Sequence, residues 1–136
     1  MIEAIYGKKG SGKTKRLIDL ANDSIKEATG DVLFIDDDNR YMFDLRHEVR
    51  FINAGEYDVH NAHMFIGFIC GLLAQNFDIH LVFVDAFLKL VKEDISALSW
   101  LFDRLAAVGE RHSVRFVLSC SGAIEDAPEY IKPYII

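Results

Sequence analysis

Cysteine, proline, tryptophan and positive charge are all scarce in this 136-residue chain. Its two cysteines are too few for the disulfide framework of a small secreted domain or for a four-cysteine zinc site. Cys70 and Cys120 both lie inside apolar segments, so two buried thiols in a reducing compartment are expected. No apolar run is long. The longest, Phe65–Ala74, falls short of the ~20 residues that span a bilayer and contains Gly67 and Gly71, so no membrane association is expected. Met1 leads directly into Ile2–Tyr6 with no basic segment or cleavage site, and a cytoplasmic location is expected. Fifteen Lys and Arg stand against 21 Asp and Glu, a formal net charge of −6. Duplex-binding surfaces gain affinity by displacing counterions from phosphates and carry a basic surplus, so charge does not support a nucleic-acid partner.

Apolar residues make up 51% of the chain, enough for one core at this length, and a single domain over residues 1–136 is expected. Ile2–Tyr6 reads as a short buried strand stopped by Gly7. Leu17, Ile18, Ala21, Ile25 and Ala28 keep the helical period from about Lys13 until Gly30. Val32–Ile35, Leu81–Val84 and Val114–Leu118 are continuous apolar runs, as in strands covered on both faces. Val49–Ile52 reads as a further short strand, and Arg40–Arg50 before it shows no clear period. Asn61–Gln75 is apolar on most sides and predicts a buried helix. Ile95, Leu98, Leu101, Phe102, Leu105 and Ala106 predict an amphipathic helix stopped by Gly109. The tail, with Pro128 and Pro133, reads as a last strand or a packed extension. Alternating strands and helices predict an α/β fold, a three-layer α/β/α sandwich around a mainly parallel sheet. In such sheets ligands sit beyond the carboxyl ends of the strands. Gly7–Thr14, Asp36–Asp38, Asp85 and Ser119 all fall at such ends.

Gly7, Lys8, Lys9, Gly10, Ser11, Gly12, Lys13 and Thr14 match G-x-x-x-x-G-K-[ST] completely, with a strand before and a helix after. Glycines let the backbone wrap an anion closely, and successive N–H groups then form an anion nest. The following helix turns its amino end to the same phosphates. Lys13 brings a positive charge to the β- and γ-phosphates, and the Thr14 hydroxyl is a ligand for Mg²⁺. Lys8, Lys9, Lys13, Lys15 and Arg16 concentrate the scarce positive charge here. The expected ligands are ATP and Mg²⁺, ATP being preferred over GTP because no motif marks guanine.

Leu81–Val84 ends in Asp85, which resembles the Walker B segment of P-loop proteins and makes Asp85 the second candidate metal ligand. Ala86 stands where many P-loop ATPases carry a water-orienting Glu. Phe34-Ile35-Asp36-Asp37-Asp38 is similar to the F-I-D-x-E form of the RecA-like branch, and Phe116–Ser119 to its strand ending in a polar residue. The chain thus resembles a RecA-like P-loop NTPase core over residues 1–121. That resemblance implies catalytic roles for Lys13, for Asp38 as the water-orienting acid and for Ser119 as a γ-phosphate sensor. It departs from the branch in having Asp rather than the longer Glu at 38 and in lacking the DNA-binding loops of recombinases. A weaker likeness to thymidine kinases meets Ala86 instead of Glu and finds no zinc lasso.

The resulting expectation is a slow Mg-dependent ATPase. The alternatives are a nucleotide-responsive module without turnover and, less favoured, a small-molecule or nucleoside kinase. A second copy or a protein partner is a candidate source of an arginine finger, with Arg40, Arg111 and Arg115 as candidates in this chain. His60 and His63, three apart, offer too few ligands for a metal and are expected as a helix-start pair that faces solvent or caps the helix. Phe34, Phe65, Phe68, Phe83, Phe102 and Phe116 are expected in the core.

Overall fold

The computed structural model describes all of residues 1–136. Five strands, β1 (Ile2–Gly7), β2 (Asp31–Asp36), β3 (Val49–Asn53), β4 (Ile79–Val84) and β5 (Arg115–Ser121), form one sheet in the order β1-β5-β4-β2-β3. Every pairing is parallel. Parallel strands covered on both faces need apolar side chains facing up and down, which explains the continuous Val32–Ile35 and Leu81–Val84 runs. Helix α1 (Lys13–Ser24) packs on one face through Leu17, Ile18 and Ala21, against Ile5, Phe34, Phe83 and Val117. Helices α2 (Ala62–Gln75), α3 (Phe87–Val91) and α4 (Ser99–His112) cover the other face around Phe65, Phe87, Phe102 and Phe116. The fold is therefore α/β with helices on both faces of an all-parallel sheet. No helix is long and apolar enough to cross a membrane.

Several boundaries differ from the sequence expectation for local reasons. The helical period was expected to reach Gly30, but α1 ends at Ser24, whose hydroxyl donates to the Ala21 carbonyl at 2.7 Å. Such a bond competes with the helical ladder. Helix α4 runs through Gly109 and ends at His112, followed by Ser113 at φ 57°. Gly109 is buried, and a Cβ there would stand 2.7 Å from the Val114 carbonyl oxygen. It therefore permits close packing instead of stopping the helix. Ile95–Ala97 is a separate short 3₁₀ turn whose start is capped by Asp94. Helix α2 is not buried all round: Met64, Gly67, Cys70, Gly71 and Ala74 face solvent. Cys70 is consequently exposed, against expectation, while Cys120 is fully buried and its thiol is pushed up to about 12 by burial.

The unassigned stretch before β3 holds a 3₁₀ turn, Met42–Asp44. It is tied to α1 by Asn22, whose amide donates to the Asp44 carbonyl and accepts from the Arg46 N–H. The tail is a packed extension that adds one bridge to the sheet, where the Ile136 N–H donates to the Ala4 carbonyl at 2.9 Å, and buries Ala127 and Ile131 in the core. Of the expected core phenylalanines, Phe68 alone is only half-buried; its ring lies 5.8 Å from that of Tyr57.

Candidate functional site

The register of the sheet sets the site. Gly7 pairs with Ser121, Val84 with Leu118, and Ile35 with Val84. One edge of the sheet therefore carries, in order, the loop after β1, Ser121 and Ser119 of β5, Asp85 after β4, and Asp36 at the end of β2. The Asp85 N–H continues the ladder by donating to the Ile35 carbonyl at 2.8 Å. A cavity of about 890 Å³ opens over this edge, and Lys13, Thr14, Asp36, Asp38, Asp85 and Ser119 all line it.

The loop between β1 and α1 folds as its glycines require. Gly10 and Gly12 adopt φ 82° and 88°, where a Cβ is costly. Gly12 is the N-cap of α1 and no side chain caps that end. The amide donors of the first turn thus face the loop's concavity. The Lys8 carbonyl accepts from the Ser11 N–H at 3.1 Å and from Lys13 Nζ at 3.0 Å, which curls the lysine back over the loop.

Thr14 and Asp85, far apart in sequence, meet at the centre. The Thr14 hydroxyl donates to Asp85 Oδ2 at 3.0 Å. Adjacent ligands of an octahedral ion with 2.0–2.1 Å bonds are about 2.9 Å apart, so the spacing of the two oxygens is compatible with Mg²⁺ once the Thr14 proton turns away. The other oxygen, Asp85 Oδ1, accepts from the Ser119 hydroxyl at 2.6 Å, and Ser119 Oγ itself accepts from the Ala86 N–H at 3.1 Å. Ser119 therefore spends its one proton fixing the Asp85 carboxylate. Ala86 sits at φ 52°, the left-handed region, and starts α3. Its N–H turns toward Ser119 in that conformation. Asp85 and Ser119 are almost fully buried, at 4% and 3% exposure.

The acidic run after β2 divides by depth. Asp38, expected to orient water, lies on the cavity wall with both oxygens engaged in its own turn. Oδ1 accepts from the Arg40 N–H at 2.9 Å and Oδ2 pairs with the Arg40 guanidinium at 3.2 Å. Asp36, which the motif comparison passed over, is 2% exposed. Its Oδ1 accepts from the Asp37 N–H at 2.7 Å and its Oδ2 has no partner. Burial, reinforced by the Asp37 side chain and the negative charge of Asp85, pushes its carboxyl up to about 8. The signal that could have found it is the same as for Asp85: the first acid after an apolar strand. No known protein-family model matches the chain, and no curated protein does.

Lys89 of α3, for which the sequence gives no signal, also lines the cavity, 3.8 Å from Asp37. Among the three candidate finger arginines, Arg40 alone is at this edge. Arg115 opens β5 at the opposite end, paired with Glu3, and Arg111 is in the last turn of α4. His60 precedes α2 and pairs with Asp58, while the exposed His63 stacks edge-on to Trp100, so the two do not share a site.

Proposed function

We propose that the chain is a minimal RecA-like P-loop domain that binds Mg·ATP in the cytoplasm and hydrolyses it slowly. The observation that carries this reading is the meeting of Thr14 and Asp85 at 3.0 Å, directly behind a loop whose two key glycines have positive φ. The strand order supports the RecA-like assignment, because β5, which carries Ser119, lies between the phosphate-loop strand and the Asp85 strand. In this reading the loop amides and Lys13 hold the phosphates, and Thr14 and Asp85 hold the metal, which would neutralise charge on the β- and γ-oxygens. Ser119 positions Asp85. Asp38, released from Arg40, orients a water whose oxygen attacks the γ-phosphorus as the β–γ bridging bond breaks, giving ADP and phosphate.

Slow turnover follows from two features. Ala86 offers no carboxylate beside the metal, and Asp38 is held by Arg40. Without an arginine from a second copy or a partner, P-loop GTPases lose on the order of 10³–10⁵ in rate. The same Arg40–Asp38 pair favours a second reading, a nucleotide-responsive binding module in which ATP reorders residues 36–55 without turnover.

Phosphate release with Mg·ATP, measured for wild type, Lys13→Ala and Asp38→Asn, separates the two. Slow release that both variants reduce is the expected result. Release that neither variant changes is contamination and ends the ATPase reading. Binding is read separately by thermal shift. Saturation to about 100 times the dissociation constant should add about 2.7 kcal/mol, on the order of 10 °C at this size. No protection at millimolar Mg·ATP would sink the nucleotide reading itself.

A further inference from the structure

We propose that Lys89 of α3 reads the terminal phosphate of a bound nucleoside triphosphate, and so sets a preference for triphosphate over diphosphate from within a single chain. The assignment rests on the nucleotide reading above. Strand order carries it. The loop that ends in Lys13 and Thr14 follows β1 at one flank of the sheet edge, and Thr14 meets Asp85 in the middle, at the end of β4. Asp37 follows β2 on the other flank, about 4.8 Å, one strand spacing, from the line of β4. Lys89 Nζ lies 3.8 Å from Asp37 Oδ2, and both residues line the cavity. A terminal phosphate bound to an ion on Thr14 and Asp85 would therefore have Lys13 on one side and Lys89 on the other.

Lys89 is firmly placed and loosely held. Phe87, Leu90 and Val91 are buried to 2% exposure or less, which fixes the rotation of α3 and leaves Leu88 and Lys89 on the cavity wall. The 3.8 Å contact with Asp37 is longer than a hydrogen bond, and the lysine side chain is 69% exposed. Such a pair adds little stability and is given up easily. Arg40, the other cation of this wall, is more committed: it pairs with Asp38 at 3.2 Å and its guanidinium lies 5.7 Å from the centre of the Tyr41 ring. A terminal phosphate has three outer oxygens. The ion and Lys13 engage two, and the Lys89 ammonium, swung from Asp37, bonds the third. A diphosphate ends one group short of it. Asp37 holds Lys89 in the empty protein and competes with the phosphate for it.

The test is calorimetric titration with Mg·ATP and, separately, with Mg·ADP. Lys89→Ala should weaken Mg·ATP about tenfold or more, the scale of a charge-assisted hydrogen bond, and Mg·ADP less than about threefold. Lys89→Arg should keep most of the preference. Asp37→Asn should bind Mg·ATP as tightly as wild type or more tightly, whereas an ion pair that only supports the fold would make both partners' variants lose affinity alike. The proposal is overturned if Lys89→Ala weakens both nucleotides equally or neither, or if Asp37→Asn reproduces the Lys89→Ala loss. In those cases wild type still binds both nucleotides and the nucleotide reading stands. A wild type that binds neither overturns that reading, and this assignment with it.

Discussion

Replacing Asp36 by Asn should make the metal-free protein more stable, and the gain should grow with pH. Burial raises this carboxyl from 3.8 to about 8, so the folded chain holds a proton that the unfolded chain has released. A group raised in this way costs nothing below about pH 4. The folded form becomes progressively less favourable from there to about pH 8, above which the penalty is constant. At pH 7 the gap from 3.8 is about three units, and at about 1.4 kcal/mol per unit it costs about 4 kcal/mol. The structure can relax around the ionised form when it appears, so about half of this is expected, about 2 kcal/mol. Asn keeps the shape and the acceptor for the Asp37 N–H but carries no charge. Thermal unfolding followed by circular dichroism from pH 5 to 9, in chelator and at fixed ionic strength, measures the difference. The histidines and other carboxylates cancel between the two proteins. The Tm gap should be about 3 °C at pH 5 and about 8 °C at pH 7, using about 4 °C per kcal/mol at this size. Parallel curves for the two proteins across this range would refute the argument and show that Asp36 ionises normally in the folded chain.

Two further outcomes test the site directly. Ser119→Ala removes the donor to Asp85 Oδ1 and the acceptor of the Ala86 N–H, so the Mg²⁺ concentration needed for nucleotide protection should rise about 10- to 100-fold. Metal-free nucleotide binding should not move, whereas a γ-phosphate sensor would lose discrimination between ATP and ADP instead. Gly12→Ala places a Cβ in open space but at φ 88°, so a loss of about 1–2 kcal/mol should come from the backbone alone. Nucleotide protection should fall further than that stability loss explains, as read by the thermal shift at saturating Mg·ATP.

The strands were legible because parallel strands covered on both faces must be apolar throughout and polar where they emerge. Val32–Ile35 with Asp36 and Leu81–Val84 with Asp85 show that rule twice. The turn between β1 and α1 was legible because its residues answer to backbone angles, and Gly10 and Gly12 adopt the angles that only glycine takes easily. Contacts distant in sequence were not legible. Nothing local shows that Asn22 clamps the Asp44–Arg46 turn, or that Ser119 fixes the Asp85 carboxylate. Gly109 was misread because a glycine that ends a helix and one that lets a strand approach look alike in sequence. Helix α3 was missed because five residues give too short a period to detect, and it starts from Ala86 in a conformation alanine rarely adopts. Motif alignment marked Asp38 by spacing, whereas burial marks Asp36, two residues away.

An acidic chain that binds a polyanion needs its charge sorted in space, and the cavity is sorted that way. Lysines 9, 13 and 15 stand at the loop and the start of α1, while Asp37, Asp38 and Asp85 stand at the strand ends. A triphosphate laid on the loop would present its terminal phosphate to the carboxylates, which repel it. A divalent ion held by Thr14 and Asp85 reverses that sign where the terminal phosphate must sit. Metal-free ATP should therefore bind this chain much more weakly than Mg·ATP, and ADP should depend less on the ion than ATP does. An equal affinity for ATP with and without Mg²⁺ would mean that the carboxylates do not face the terminal phosphate, and the roles assigned to Thr14 and Asp85 would fall with that result.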